Sequence, residues 1–337
     1  MVTIKDIAQE TGLSPATVAR VLSETGPSRP ETRAKVREAA ERLGYVASSA
    51  ARSMRRRTSN MVGLVIPDIT NRFYSEMAKI MAAACDVRGL HFLLAVTDDD
   101  PIREMQQMRA MVAARVAAVA LVPGPATRPE LAGLANRQPF TQLVRRSKRL
   151  SSDWFGLDEE DGLRQATEHL LDLGHRDILL VCSTDVYSTG RSRQKGFRDA
   201  FHRRGLAVDE ELIRSGTPTI AWGRSAVADV PARVTAIIAA GTMLTEGAVE
   251  SLSLSGTGVP EELSFVGFGL ERWHTWWQHG MTRIVPPVDA LAAAAIEHLF
   301  SRIGQDDCSS GRDRTERYYH GRLHIGQTTR ERTEMSG

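Results

Sequence analysis

Apolar positions in the first 45 residues recur at helical spacing. Ile4, Ile7 and Ala8 fall at i, i+3, i+4 behind Thr3, a side chain suited to capping, and Gly12 ends this first helix. Ser14 caps a second helix with Pro15 at its first position, where a missing N–H costs nothing. Leu13, Val18 and Leu22 form its inward side, while Pro15, Ala16, Thr17 and Arg20 face out near its start. Gly26-Pro27 breaks the chain. From about Pro30, Val36, Ala39, Ala40 and Leu43 repeat at i, i+3, i+4, i+7, and Gly44 closes a third helix. A glycine-containing turn between the first two of three short helices is the pattern of a helix-turn-helix unit. The same pattern also describes a plain three-helix bundle with a solvated face.

From Val62 the pattern changes. Short apolar runs at 62–67 (VGLVIP), 91–96 (HFLLAV), 116–122 (VAAVALV), 140–144 (FTQLV), 178–183 (ILLVCS), 234–240 (VTAIIAA) and 263–268 (LSFVGF) alternate with amphipathic helical stretches. Such alternation predicts an α/β fold with parallel sheets covered by helices on both faces. The length of this part is large for one open sheet, which predicts two lobes. Ligand sites in such folds lie beyond the carboxyl ends of the strands, here in the cleft between lobes.

Charge sharpens the picture. The 337 residues carry a net charge of +2, but residues 1–60 hold eleven Lys/Arg and six Asp/Glu, leaving 32 basic and 35 acidic residues to the rest. A small basic module on a mildly acidic body suggests that the module meets a polyanion. The first turn of the second helix is small enough to enter a DNA major groove, where Arg20 could reach guanine O6 and N7. Three isolated cysteines (Cys85, Cys182, Cys308), no signal-like start and no apolar run of membrane-spanning length point to a cytoplasmic protein that meets no membrane.

The stretch TIKDIAQETGLSPATVARVLSETGPSRPETRAKVREAAERLGY resembles the headpiece of the lactose-repressor (LacI) family of bacterial transcription regulators. The resemblance implies that Ser14, Pro15, Ala16, Thr17 and Arg20 read bases, and that Thr3, Ile4, Ala19, Ser23, Arg29 and Thr32 lie near phosphates. Small Pro15 and Ala16 occupy positions the family varies to choose operators, so their readout is expected to be apolar, for instance to a thymine methyl. The following VASSAARSMRRRTSN, by itself a basic flexible linker, resembles the family's hinge, which becomes a helix on operator DNA. Ala50, Ala51, Arg52 and Met54 match it. Met54 stands where a leucine wedge is usual and Ala47 where a proline is common. Arg55, Arg56 and Arg57 are expected to meet the DNA backbone.

VGLVIPDITNRFYSEM, ATEHLLDLGHRDILLV and RSRQKGF extend the resemblance through the body, a two-lobed core like that of periplasmic sugar-binding proteins. It implies crossovers near 160, 288 and 322. The expected domains are a headpiece at 1–46, a hinge at 47–60 and an effector-binding core at 61–337. Within the core, the N-lobe spans about 61–160 and 289–322, and the C-lobe about 161–288 and 323–337. The implied partners are palindromic double-stranded operator DNA, a small-molecule effector and a second copy of the chain, since one headpiece reads one half-site.

For the effector, the resemblance carries over Phe73, Tyr74, Asp161 and Arg193. An aromatic pair covers a sugar's apolar face, while arginine and aspartate bind hydroxyls or a carboxylate; as residue types, Phe73 and Tyr74 equally suit the core and Arg193 a surface ion pair. Several positions depart from the family: Gly269 and Arg145 stand where aspartates are usual, and Gly241-Thr242 where Asn-Asp is common. Fewer acids beside Arg72, Arg145 and Arg193 hint at an anionic effector, a sugar acid or sugar phosphate. Glu159–Glu160 and Asp99–Asp100 read as exposed helix-start or loop charges. Trp273, Trp276 and Trp277 in ERWHTWWQHG, at i, i+3, i+4, suit either ligand stacking or lobe packing. His274 and His279 are spaced wrongly for a helical zinc pair, and no cofactor is expected. The phosphate loops and nucleophile elbows of common enzyme classes are absent from the sequence. The expected function is therefore that of an effector-controlled, sequence-specific regulator, a repressor of sugar or sugar-acid metabolism genes, and not an enzyme.

Overall fold

The computed structural model describes residues 2–22, 27–45, 59–270, 272–305 and 313–332. The chain divides into two compact units, Met1–Asn60 and Met61–Gly337. Ser23, Ala51, Met54 and Arg55, expected at the DNA, lie outside the described residues.

The first unit is three helices: α1 (Ile4–Thr11), α2 (Pro15–Leu22) and α3 (Pro30–Arg42). Thr3 and Asp6 form a reciprocal capping box on α1, the Thr3 backbone N–H donating to Asp6 Oδ2 at 2.7 Å. Gly12 follows at φ 67°, a left-handed conformation that lets the chain turn directly into α2. Ser14 accepts the Thr17 N–H at 3.1 Å and so caps α2, as its position predicts. Ile7, Ala8, Val18, Val21, Val36, Ala39 and Ala40 are buried together, with Leu13, Leu22 and Leu43 packed around them.

The second unit holds two six-stranded sheets. The first contains β1 (Met61–Ile66), β2 (His91–Val96), β3 (Ala118–Leu121), β4 (Phe140–Leu143), β5 (Asp153–Leu157) and β11 (Glu316–Tyr319), ordered 11-5-4-3-1-2 and entirely parallel. The second contains β6 (Ile178–Ser183), β7 (Ile213–Gly216), β8 (Ala236–Ala239), β9 (Ser264–Phe268), β10 (Thr282–Val285) and β12 (Arg322–His324), ordered 12-10-9-8-6-7, with only β12 antiparallel to its neighbour. Strands β1, β3, β6, β8 and β9 are buried almost throughout, the reason they read as continuous apolar runs.

Helices α4 (Arg72–Val87), α5 (Pro101–Ala113), α6 (Leu131–Ala135) and α11 (Val288–Arg302) cover the first sheet, and α7 (Glu159–Asp172), α8 (Ser188–Arg203), α9 (Ile220–Ala226) and α10 (Thr242–Ser255) the second. The chain passes between sheets after β5, β10 and β11. One apolar cluster includes residues of both sheets, among them Leu64, Phe155, Leu180 and Phe268, with Phe197 of α8. No helix among the described residues is long and apolar enough to cross a membrane.

Strand β5 was not visible as an apolar run because Asp153 opens it and Gly156 interrupts it. The structure accounts for both. His298 Nε2 at 2.7 Å and the Thr315 N–H at 2.8 Å satisfy the Asp153 carboxylate. A Cβ on Gly156 would lie 2.0 Å from the Trp154 ring. The tryptophan run does not form the helix its spacing suggests; it forms two 3-10 turns, Arg272–Thr275 and Trp277–His279. Trp273 and Trp277 pack on the core of the second sheet, Trp277 edge-on to Phe265 at 5.7 Å, and Trp276 stands 69% exposed.

Candidate functional site

Two surfaces carry candidate chemistry. In the first unit, the start of α2 exposes Ser14, Pro15, Ala16 and Arg20, with Thr17 and Ala19 half-exposed beside them. This follows from burying Val18 and Val21, which turns the other side of so short a helix outward. The Ser14 and Thr17 hydroxyls lie 2.8 Å apart, so one is already oriented by the other. Thr3, Arg29 and the basic residues of α3 are exposed, while Ile4 and Thr32 are half-buried.

In the second unit a cavity of about 280 Å³ opens between the sheets, at strand carboxyl ends as the topology requires. Asn71 caps α4 by accepting the Phe73 N–H at 3.1 Å, which sets Phe73 and Tyr74 into the wall edge to face, their centroids 5.8 Å apart. The two rings are 5% and 6% exposed, so they serve cavity and core at once. Burial pushes the Tyr74 hydroxyl pKa above its ordinary value.

Two ion pairs flank these rings. Arg193 donates from Nε and Nη2 to the two oxygens of Glu159 at 2.7 and 2.8 Å and from Nη1 to the Ala240 carbonyl at 2.8 Å, its guanidinium lying 4.8 Å from the Phe268 ring centroid. Arg145 donates to Asp99 at 2.5 Å and stacks over the Tyr187 ring at 4.6 Å. The Tyr187 hydroxyl donates to the same Asp99 at 3.4 Å. Gly241 sits at φ 154°, and a Cβ there would lie 3.2 Å from Arg193 Nη1. The glycine thus leaves the guanidinium its place. Asp68, Asp98, Ser183, Thr189, Thr217, Thr219 and Thr242 complete a ring of hydroxyl-binding groups.

Of the four effector residues expected, Phe73, Tyr74 and Arg193 come together here and Asp161 does not. Two residues along α7 amount to about 200° of rotation, which carries Asp161 away from the cavity wall that holds Glu159. The Asp161 carboxylate is held by Arg164 and by Gln165 at 2.6 Å instead. The acid pairs expected at the surface split in the same way. Glu159 is 5% exposed and Asp99 lines the cavity, while Glu160 pairs with Lys195 and Asp100 caps α5. The expected convergence of Arg72, Arg145 and Arg193 does not form: Arg72 is exposed outside the wall, and the other two each hold a carboxylate. Asp68, Asp98, Asp99 and Glu159 outnumber the two wall arginines, and with Asp98 held by Arg103 from outside the wall, Asp68 is the surplus acid of the lining. None of the three tryptophans lines it. Among the described residues no group of His, Cys, Asp and Glu is arranged to hold a metal ion.

The comparisons with known proteins agree with this two-part plan. Residues 3–48 match "Bacterial regulatory proteins, lacI family", and residues 167–329 match "Periplasmic binding protein-like domain". The chain is 30% identical over 297 residues to the HTH-type transcriptional regulator DegA of Bacillus subtilis (strain 168), covering 86% of this chain and 88% of that one. It is 28% identical over 301 residues to the HTH-type transcriptional regulator GalR of Escherichia coli (strain K12), covering 88% of each. Its fold superposes on the lac repressor dimer bound to operator and the anti-inducer ONPF with a TM-score of 0.82, at 20% identity over 98% of this chain and 99% of that one. It superposes on the CelR–cellobiose complex with a TM-score of 0.70, at 24% identity over 97% and 100%. These relatives are transcription regulators, not enzymes. The chain belongs to the lacI family of bacterial regulatory proteins, DNA-binding transcription regulators that join a helix-turn-helix headpiece to a periplasmic-binding-protein-like core.

Proposed function

We propose that the chain is a cytoplasmic, homodimeric repressor whose affinity for a palindromic operator is set by a small neutral sugar, and that it governs genes of sugar metabolism. The observation that carries the effector class is the cavity's chemistry. Both of its arginines are neutralised by carboxylates, Arg193 by buried Glu159 and Arg145 by half-buried Asp99, and what remains is a hydroxyl-rich ring with Asp68 and Asp98 around two aromatic rings. Carboxylates and threonine hydroxyls accept and exchange hydrogen bonds with sugar hydroxyls, and the rings cover a pyranose's apolar face. A sugar acid would bring a further negative charge into a lining with none of its cations free. That the similarly folded CelR is seen with cellobiose supports the same class.

At the DNA, Ser14, Pro15, Ala16, Thr17 and Arg20 meet base edges, and Thr3, Ile4, Ala19, Ser23, Arg29 and Thr32 the phosphates. Ala51, Met54 and Arg55 supply the minor-groove hinge, with Met54 as the wedge. The test is selection of random duplex DNA by the purified full chain at near-physiological salt, with and without neutral mono- and disaccharides. An enriched palindrome of about two turns, lost or gained with one of the sugars, is the expected result. Binding without enrichment that fades uniformly as salt rises would overturn the regulator reading. Enrichment that answers only to sugar acids would overturn the neutral-sugar reading.

A further inference from the structure

A second cavity of about 210 Å³ adjoins the first and has the opposite charge. Its walls are the loop after β3, the loop after β4 and the start of α8, so it too lies between the two sheets. Five cations line it, Arg145, Arg146, Lys148, Arg149 and Arg191, and no carboxylate does. Two of the five are compensated, Arg145 by Asp99 and Arg146 by Glu316. No carboxylate among the described residues pairs with Lys148, Arg149 or Arg191. Instead, Arg149 Nη1 donates to the Thr127 carbonyl at 2.7 Å, and Arg191 donates to the Asp185 carbonyl. Each of these bonds uses one donor and fixes the guanidinium plane, leaving the remaining N–H groups for a ligand. The 16-residue helix α8 opens at this wall with no acid in its first turn and no side-chain cap from Tyr187, so its positive end adds to the same field.

We infer that this cavity binds a phosphate group, as the free ion or as a phosphomonoester. Three uncompensated cations and a helix start suit a tetrahedral dianion with three or four terminal oxygens better than a carboxylate. Lys148 and Arg149 come from the side of the first sheet and Arg191 from that of the second. Without an anion these charges repel one another across the cleft; with one they are drawn together. These cations are not those that the sequence suggested for the effector, since of Arg72, Arg145 and Arg193 only Arg145 lines this cavity. The site does not depend on the sugar reading of the first cavity.

The test is calorimetric titration of the full chain, in a buffer free of phosphate and sulfate, with inorganic phosphate, glycerol 3-phosphate and glycerol. Both phosphates should bind and glycerol should not. The exposed double variant Lys148→Ala/Arg191→Ala should weaken phosphate binding by roughly tenfold or more, the least that losing one charged hydrogen bond implies. Its thermal unfolding and its response to neutral sugars should match the parent's. Tighter glycerol 3-phosphate supports the site and assigns it to a phosphorylated metabolite; tighter inorganic phosphate supports it and assigns it to the free ion. Failure of both to bind at millimolar concentration, or equal binding by the variant, overturns the inference. A parent that binds phosphate but no sugar separates this site from the reading of the first cavity.

Discussion

Replacing Arg193 by alanine tests whether the first cavity is built on a buried charge pair. Arg193 is 8% exposed and Glu159 is 5% exposed, and two hydrogen bonds of 2.7 and 2.8 Å join them. Removing the guanidinium strands the Glu159 carboxylate where water barely reaches, and frees the Ala240 carbonyl as well. Breaking a buried pair in this way costs about 3–5 kcal/mol, whereas a solvated pair such as Lys195–Asp199 is screened by water and adds little. At about 2–4 °C per kcal/mol, Arg193→Ala should lower Tm by roughly 6–20 °C. The double variant Arg193→Met/Glu159→Gln removes both charges and keeps the volume. It should recover most of that loss while binding no sugar, because the hydroxyl-binding guanidinium and carboxylate are both gone. Thermal scans and urea titrations of the three proteins, with sugar calorimetry on each, make the comparison. A loss below about 1 kcal/mol for Arg193→Ala, or a double variant no more stable than the single one, would refute the buried-pair account.

Other consequences are open to measurement. Burial raises the Glu104 pKa, opposed by the Gly124 N–H at 2.6 Å, so its contribution to stability is full below pH 4.5 and declines as pH rises through the folded value. Glu104→Gln should flatten that decline in denaturation curves between pH 4.5 and 8; an unchanged slope contradicts it. His274 is fully buried, and its pKa is depressed to about 3 by burial first and by Arg283 next. The unfolded chain therefore takes up a proton below pH 6.5 that the folded chain refuses. Stability falls toward pH 3 by up to roughly 1.4 kcal/mol per pH unit, a contribution that His274→Leu should remove. Thr3→Ala removes the α1 capping box and should cost the headpiece about 1 kcal/mol by denaturation. Arg20→Ala should weaken operator binding by about 1–3 kcal/mol and relax selectivity at one base pair; unchanged selectivity in competition would place Arg20 on phosphate alone.

What the sequence showed and what it hid have a common physical basis. Strands such as β1 and β6 are covered on both faces, so every position is apolar and the run is legible without context. β5 is equally buried, yet its Asp153 is satisfied by His298, which lies 145 residues further along the chain. No local pattern announces such a partner. Of the four edge strands, β11 and β12 are mostly exposed and β7 mostly half-buried, and none of these three carries an apolar run; β2 alone does. The cavity residues divide in the same way. Phe73 and Tyr74 were visible as residue types, but whether Glu159 or Asp161 faces inward depends on helix phase, and Arg193 selects the former from α8. The adjacent acids gave no local sign that one is buried and the other solvated, since only the tertiary partner differs: Arg193 for Glu159, Lys195 for Glu160.

The distribution of bonds around the first cavity bears on how a ligand would act. The charge pairs of the cavity stay on one side of the cleft: Glu159 and Arg193, with the Ala240 carbonyl, beside the second sheet, Arg145 and Asp99 beside the first. The polar links across the cleft are of another kind, without paired charges. Tyr187 reaches Asp99 at 3.4 Å and stacks under Arg145, while the Arg146 N–H reaches Ser188 Oγ at 2.8 Å. Each half of the site is thus preorganised, and at the cavity the polar contacts that set one half against the other are worth about 1 kcal/mol each. A sugar that contacts Asp68 and Asp98 on one side and Thr189, Thr217 and Thr242 on the other adds hydrogen bonds of that same size across the cleft. Three or four such bonds together match or exceed the roughly 1–3 kcal/mol typical of an allosteric coupling. A phosphate joining Lys148 and Arg149 to Arg191 would act on the same interface from the neighbouring cavity. Two ligands that each favour the same closed setting must then strengthen one another's binding, by an equal factor in either order of addition.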